Sequence, residues 1–510
     1  MVENKKIVKL EKLAGIVANY KKAGKKVVHC HGVFDLLHLG HIKHFEEAKK
    51  LGNFLIVTVT PDEYVDKGPN KPMFSLEQRM EALAALSKIG FVAANKWKSA
   101  TNTIKIIKPN IYCKGPDYKK NSLDLTKKII EEEKAVKSVG GKIEYTSDAI
   151  TFSSSNILNK FGGIYTDNQK SIIKKINKKF KFKEITKMVN ELKKLKVLVI
   201  GETIIDQYYF CEALGKSGKE PVLVLRDLNM EQYLGGAGAV VRHLSDFCKS
   251  ITLLSMLGDD GKYKKYIKNK LPKNVTSEFI YKQNSPTIEK KRYVEKVNKT
   301  KVIGVYNLND EILNKKNEKK LNNKILKLIP KHDVIIVTDY GHGFLSDKVA
   351  SKICKMSSFL AVNAQVNSSN IGYHTMDKYK KAKCVVINET ELRHDMKDKS
   401  SPIKFLMEKL TKKLKIKNLV VTRGSKGAVL LSTNPKKYFS SEAFASRVVD
   451  KVGAGDAMLA LISLCLKRNF DKNFSLLTAS LAAAQSAETI GNSVPINKNQ
   501  ILKSIQHLLK

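Results

Sequence analysis

No stretch of the 510 residues stays apolar for the roughly 20 positions that a membrane-spanning helix needs, so a helical membrane protein is excluded. The first residues, MVENKKIVKLEKLAGIV, lack the apolar core and small-residue cleavage site of a secretory signal; the expected location is cytoplasmic, with no membrane partner. The seven cysteines, Cys30, Cys113, Cys211, Cys248, Cys354, Cys384 and Cys465, are odd in number, widely spaced and without a C-x-x-C pair. That spacing argues against a disulfide framework and against a zinc site, so no metal ligands are expected among the side chains; buried thiols in a reducing compartment are. Arginine is also scarce, at eight of 92 basic residues. The net charge of +43 suggests nucleic-acid binding, but sequence readers favour arginine for its bidentate contacts to phosphate and guanine. The lysines are scattered along the whole chain, which reads as a solvated lysine-rich surface with no nucleic-acid partner. Such a field still attracts small anions such as nucleotides and sugar phosphates.

What is present is a globular composition, 42% hydrophobic and 28% charged. At about 100–200 residues per domain, the length allows two to four domains. Two segments read as the opening of an α/β domain: Lys26 to Gly32, and Leu195 to Gly201, each a short apolar strand ending in glycine. Further strands are expected at Phe54 to Thr60, Gly90 to Ala94, Asn110 to Cys113 and Lys142 to Tyr145, alternating with helices at Ser75 to Leu86 and Leu123 to Val136. Later strands are expected at Ile251 to Leu257, Val334 to Thr338, Leu360 to Val362, Cys384 to Ile387, Leu419 to Thr422 and Ala428 to Leu431. This alternation predicts two α/β domains with doubly wound parallel sheets. The expected boundaries are residues 1–160, a lysine- and asparagine-rich linker and lead-in helix over 161–195, and a second domain over 196–510.

In the first domain the segment Gly32-Val33-Phe34-Asp35-Leu36-Leu37-His38-Leu39-Gly40-His41 follows a strand and opens a helix. The i, i+3 spacing puts both imidazoles on one face at a helix N-terminus, where free amides and the positive dipole suit a phosphate. The segment resembles the G-x-F-D…H-x-G-H signature of the nucleotidylyltransferase superfamily. Asp66-Lys67-Gly68 with Lys71-Pro72, the helix Ser75 to Met80, the run Pro109 to Tyr118 and Phe152 to Ile157 are similar to its sugar-phosphate and glycerol-phosphate branch, with Lys71 where arginine is usual. The resemblance covers about residues 25–160. It implies a Rossmann-like fold in which a substrate phosphate attacks the α-phosphorus of ATP or CTP, with Mg²⁺, and pyrophosphate leaves. It implies His38, His41 and Lys67 as catalytic charge stabilisers. Gly32, Phe34, Asp35, Arg79, Ser153, Ser154 and Ser155 would contact nucleotide, and Lys114 and Asp117 substrate. His31 is left open between lining that pocket and packing.

In the second domain Gly453-Ala454-Gly455-Asp456 opens an apolar helical run. Its small residues leave amides free for a transferring phosphoryl group, and Asp456 stands where it could take a proton from an attacking hydroxyl. Gly235-Gly236-Ala237-Gly238 opens another helix; Asn388-Glu389-Thr390-Glu391 and Thr422-Arg423-Gly424 follow strands. This set, in this order, resembles the ribokinase-like sugar kinases over about residues 196–510. The resemblance implies Asp456 as base and Gly453, Ala454 and Gly455 as an anion hole. Asn388, Glu391, Thr422 and Gly424 would lie toward ATP and hydrated Mg²⁺, and Asp206, Gly235 and Gly236 toward the sugar. Segments around Asp206, Lys290, Arg292 and Thr338 to Gly343 are similar to the bifunctional heptose-7-phosphate kinase/heptose-1-phosphate adenylyltransferases, with Lys290 and Arg292 as ligands for a substrate phosphate. The order of the two halves is reversed here. Ala239 stands where that family has a sugar-contacting asparagine, and Asn363-Ala364-Gln365 where it has Asp-Pro-Lys. Two readings follow: a bifunctional kinase and nucleotidylyltransferase making an activated sugar for surface glycans, or a nucleotidylyltransferase with a weak or non-catalytic kinase-like domain. A homodimer is expected by family analogy.

Overall fold

Valine- and isoleucine-rich runs bounded by polar turns become buried strands: β1 (Val27–Gly32), β2 (Phe54–Val59), β3 (Phe91–Ala94), β4 (Ile111–Lys114) and β5 (Lys142–Tyr145). The computed structural model describes residues 5–65, 71–115, 128–146, 165–297, 299–367, 370–445 and 447–509. It divides into one unit of Met1–Thr166 with Leu502–Lys510, and a second of Asp167–Ile501.

In the first unit the five strands pair in parallel in the order β3-β2-β1-β4-β5. The order reverses between β1 and β4, so the chains leaving those two strands diverge and open a crevice at their C-terminal ends. The helix Leu10–Lys22 buries Leu10, Leu13 and Val17, one stripe at helical spacing, in a cluster with Val27, Ile56 and Ala93. On the other face the helix Leu39–Lys50 sets Phe45 and Ala48 against Val28, Cys30 and Val57. The expected helix at Ser75 is present as Leu76–Ala84, started by a reciprocal cap between Ser75 and Gln78. Of the helix expected over Leu123 to Val136, the described part is Lys128–Ser138.

Residues 167–191, in the stretch read as linker and lead-in helix, form the helices Asp167–Lys179 and Phe182–Glu191 and count with the second unit. The strands of that unit are β6 (Lys196–Lys216), β7 (Leu223–Gly236), β8 (Ser250–Gly258), β9 (Val275–Lys282), β10 (Glu289–Glu295), β11 (Lys301–Asn307), β12 (Val334–Asp339), β13 (Leu360–Ala364), β14 (Cys384–Asn388), β15 (Asn418–Thr422), β16 (Ala428–Thr433) and β17 (Lys436–Ser441). Strands β9-β8-β6-β12-β13-β14-β15 pair in parallel, and β16 and β17 close the edge antiparallel. Leu198, Leu254, Val337, Val362, Val385 and Val421 belong to the core along this sheet.

β6 serves two layers. Its first half pairs with β8 and β12, and its second half pairs with β10 and antiparallel with β7. The sequence reading ended this strand at Gly201 and assigned none of β7, β9, β10, β11 and β17. β7 is exposed over most of its length and β11 at every position, with Leu223, Leu228, Met230, Ile303 and Val305 among the exposed side chains, so these two lack the buried apolar run of a parallel core strand. The doubly wound sheet is therefore accompanied by a small layer, β7-β6-β10-β11, beside the C-terminal ends of the core strands.

Candidate active sites

At the crevice of the first unit, His38 caps the helix Leu39–Lys50, its Nδ1 accepting from the Gly40 N–H at 3.1 Å. The His41 ring stacks on the His38 ring with centroids 4.0 Å apart, and Phe34 meets His41 edge-on at 5.4 Å. Phe34 adopts φ +50°, and its ring folds back so that a Cβ at Gly32 would lie 2.9 Å from it. A larger residue at this position would push the Phe34 ring out of its place. Gly32, Phe34, His38 and His41 are brought together as expected of one site.

Other expected residues have different roles. Asp35 is buried, and its Oδ1 accepts the Met73 and Phe74 amides at 2.7 and 3.0 Å, tying the loop before the third helix to the β1 turn. Arg79, expected at the triphosphate, is 1% exposed: it donates to the carbonyls of Phe74, Val33 and Thr60 and pairs with Asp62. All three of its nitrogens are engaged, so it is a clamp between loops and not a phosphate ligand. Lys114, expected at substrate, is likewise buried and paired with Glu132 at 3.1 Å; Glu132 also accepts the Tyr112 hydroxyl and the Ala100 amide. Both corrections have one cause: each cation is itself buried and already matched inside the fold, Arg79 by three backbone carbonyls and Asp62, Lys114 by the buried Glu132. His31 packs, with Nδ1 on Thr58 Oγ1 and Nε2 on Thr60 Oγ1 at 2.9 and 3.2 Å. Lys67, Asp117, Ser153, Ser154 and Ser155 lie outside the described residues.

A cation that the site assignment passed over is Lys71. Its half-buried ammonium and Asp35 Oδ2 have no hydrogen-bond partner among the described residues. Burial lowers the Lys71 pKa against the attraction of Asp35. The signal was present, since Lys71 occupies the place where the resembled family has arginine.

In the second unit the expected groups converge. Asp206, on the outer half of β6, pairs with Arg292 at 2.5 Å, and Lys290 stands beside Asp206 in the β6–β10 register. Gly235 lets β7 cross that carboxylate, because a Cβ there would fall 2.1 Å from Asp206 Oδ2. Gly236, at φ +58°, turns the chain into the helix Ala237–Leu244. Lys290 is buried, 5.4 and 5.8 Å from the rings of Tyr306 and Tyr340. Burial lowers its pKa, with Asp206 and Glu202 opposing the shift.

The helix Ala454–Lys467 begins at Gly453, which has φ +91° and no room for a Cβ, since one would meet Asn492 Oδ1 at 2.1 Å. Gly455 is the opposite case: a Cβ there would meet nothing within 4 Å. The first-turn amides have no intrahelical partner, and the space beside Gly455 is open. Asp456, in that turn, accepts from the Tyr340 hydroxyl at 3.0 Å. Burial first, and then Asp206, push its pKa up to about 7, while hydrogen bonds from Tyr340 and Asn492 pull it down. A carboxylate with that proton affinity is matched to accepting a hydroxyl proton near neutrality.

Asn388 and Glu391 form a reciprocal cap on the helix Glu389–Met396, each side chain accepting the other's backbone N–H at 2.8 Å. Burial raises Glu391 to about 7, and Asp456 adds to that shift, so the two carboxylates sense one another. Thr422 lies beside Asn388 in the β14–β15 register, and Gly424 makes the following turn at φ +56°. His342 and His374 bond to Asp310 at 2.6 Å and to the Asp339 carbonyl at 3.1 Å.

The sequence model of the pfkB family carbohydrate kinases matches residues 194–499. The chain belongs to that family. The model described as cytidylyltransferase-like matches residues 29–160, ahead of the pfkB region. Curated relatives include the bifunctional protein HldE of Aliarcobacter butzleri, 28% identical over 311 residues, which are 59% of this chain and 62% of that protein. HldE of Sulfurimonas denitrificans is 41% identical over 134 residues, 26% of this chain and 28% of that protein. The chain thus spans about three fifths or less of the curated relatives' length in any one alignment. A reversed order of the two halves is consistent with this, because it breaks a colinear alignment in two. Escherichia coli phosphofructokinase-2 shares the fold of the pfkB region, with a TM-score of 0.51 and 15% identity over 62% of this chain and 100% of that one.

Within the pfkB region two residues were missed as site components. Tyr340 bridges Asp456 and, through its amide, Glu202. Asn492 sits against Gly453 and Asp456 and is buried. Neither could be placed from sequence, since both reach Asp456 only through the tertiary fold. No helix among the described residues is long and apolar enough to cross a membrane.

Proposed function

We propose that this chain phosphorylates a sugar phosphate, of the heptose-7-phosphate class, on its C1 hydroxyl, and transfers a nucleotidyl group from ATP or CTP to a sugar 1-phosphate. The product is a nucleotide-activated sugar for surface glycan assembly. One observation carries the reading: Asp456, its proton affinity raised to about 7, stands in the first turn of the glycine-led helix within the field of Asp206 and Lys290. In the kinase step Asp456 accepts the C1 hydroxyl proton as that oxygen attacks the γ-phosphorus of ATP. The amides of Ala454 and Gly455 receive the charge developing on the phosphoryl group. Asp206 orients the sugar, and Lys290 and Arg292 hold its distal phosphate.

In the transferase step a phosphate oxygen of the sugar 1-phosphate attacks the α-phosphorus. His38, His41 and the helix N-terminus stabilise the pentavalent centre while pyrophosphate leaves, with Lys71 and Lys67 as further cations. Mg²⁺ fits the pfkB site on chemical grounds: Asn388 and Glu391 offer oxygen donors of the kind it takes through water, and the mutual repulsion of Glu391 and Asp456 is what a divalent cation relieves. Bound there, the ion would neutralise charge on the triphosphate. The reading includes cytoplasmic location and a homodimer, for which the exposed apolar side chains of β7 and β11 provide a face.

A second reading, a transferase with a weak kinase-like domain, is favoured by Ala239, which is fully buried and offers no polar atom, and by Asn363, whose amide is spent on the Val386 carbonyl at 2.8 Å. Mass spectrometry decides between them. The purified chain is offered sugar phosphates with ATP or CTP, and both a bisphosphate and a nucleotide sugar are expected. A nucleotide sugar without any bisphosphate, or equal ATP turnover in wild type and Asp456→Asn, leaves only the second reading.

A further inference from the structure

The cysteine spacing gave no reason to expect a metal, yet the β1–β4 register sets Cys30 directly beside Cys113. Both side chains are buried on the sheet face covered by the helix Leu39–Lys50. That helix contributes His44, one turn beyond His41, and one ligand atom from each of Cys30, Cys113 and His44 lies within 4.8 Å of the other two. We propose that Cys30, Cys113 and His44 form a binding site for one thiophilic divalent cation of the Zn²⁺ class, beneath the crevice that holds His38 and His41.

Three arguments support the assignment. Two sulfurs and one imidazole nitrogen are the donors zinc selects, and three protein ligands leave a fourth position for water. The imidazole is also oriented as ligating histidines usually are: His44 Nδ1 lies 2.9 Å from Thr146 Oγ1, whose hydroxyl faces the Lys114 carbonyl at 3.5 Å. With the Thr146 hydroxyl donating to that carbonyl, its oxygen accepts from Nδ1–H and Nε2 is left as the bare nitrogen. Finally, charge balances. A divalent cation that displaces both thiol protons gives a neutral buried unit. A monovalent ion would leave the site negative, which selects against it.

The ion would tie β1, β4 and the histidine-bearing helix together, three elements that converge below the crevice. Cobalt titration of the full chain, held under a non-thiol reductant, tests this. One equivalent of Co²⁺ should produce the near-ultraviolet thiolate-to-cobalt charge-transfer band, and Zn²⁺ should displace it. Cys113→Val, which keeps a small strand-forming side chain, should abolish the band, and Thr146→Val should weaken Zn²⁺ binding about tenfold or more. Absence of a thiolate band in the folded wild-type chain would overturn the proposal. So would a band that survives in Cys113→Val, or one that survives in Cys30→Ala should the first variant not fold.

Discussion

In the first unit the groups expected to meet phosphate hang on one helix start, whereas in the second they arrive from β6, β10, the turn after β12 and the helix Ala454–Lys467. The consequence shows in their partners. Asp206, Lys290, Arg292 and Asp456 face one another, and their mutual field sets the proton affinity of Asp456. In the first unit the two basic residues farthest in sequence from the histidine turn, Arg79 and Lys114, have been taken up by Asp62 and Glu132. A site built at a helix N-terminus draws its positive field from backbone amides and can do without those side chains; a site built from converging carboxylates cannot dispense with its cations.

The sharpest way to break this comparison is to disable one half at a time. Asp456→Asn should lower sugar-dependent ADP formation by roughly 10²–10⁴-fold and leave pyrophosphate release from the transferase reaction unchanged. His41→Ala should do the converse, lowering nucleotidyl transfer by about 10²–10³-fold with the kinase rate intact. Loss of both activities in either variant would mean that the sites are not independent.

Smaller effects sharpen the contrast between clamp and ligand. Arg79→Met should destabilise the first unit by about 1–3 kcal/mol in thermal or urea unfolding, because buried carbonyls lose their donors. If Arg79 bound triphosphate instead, that variant would raise the nucleotide KM with stability unchanged.

The smallest effect is a pH shift. Asp456 must be unprotonated to accept a proton, so kcat of the kinase should fall about tenfold per pH unit below about 7 and level off above it. The Tyr340 hydrogen bond lowers that pKa, and Tyr340→Phe should move the limb to higher pH. A limb near the ordinary aspartate range would remove Asp456 as the base.

Both helix-start motifs were legible in the sequence because their determinants lie within a few residues. Gly32 makes room for Phe34, His38 caps its own helix, and Gly453 takes a positive φ at the start of the next. Most parallel core strands were legible for the same reason, as apolar runs between polar turns; β9, a parallel strand at the sheet edge, was not. The largely exposed β7 and β11 were not either, since strands whose side chains face solvent carry no buried apolar run to mark them.

The sequence by itself determined the two α/β units, the order in which they occur and the turns that present free amides, all consequences of local pattern and backbone conformation. Only the tertiary structure decided which charged residues are spent inside the fold and which face a crevice, as Arg79 and Asp456 illustrate. It also decided that Cys30, Cys113 and His44 meet. The physical reason is the same in each case: a side chain's partner is set by strand register and helix packing across long stretches of chain, and neither is encoded in the spacing of residues along it.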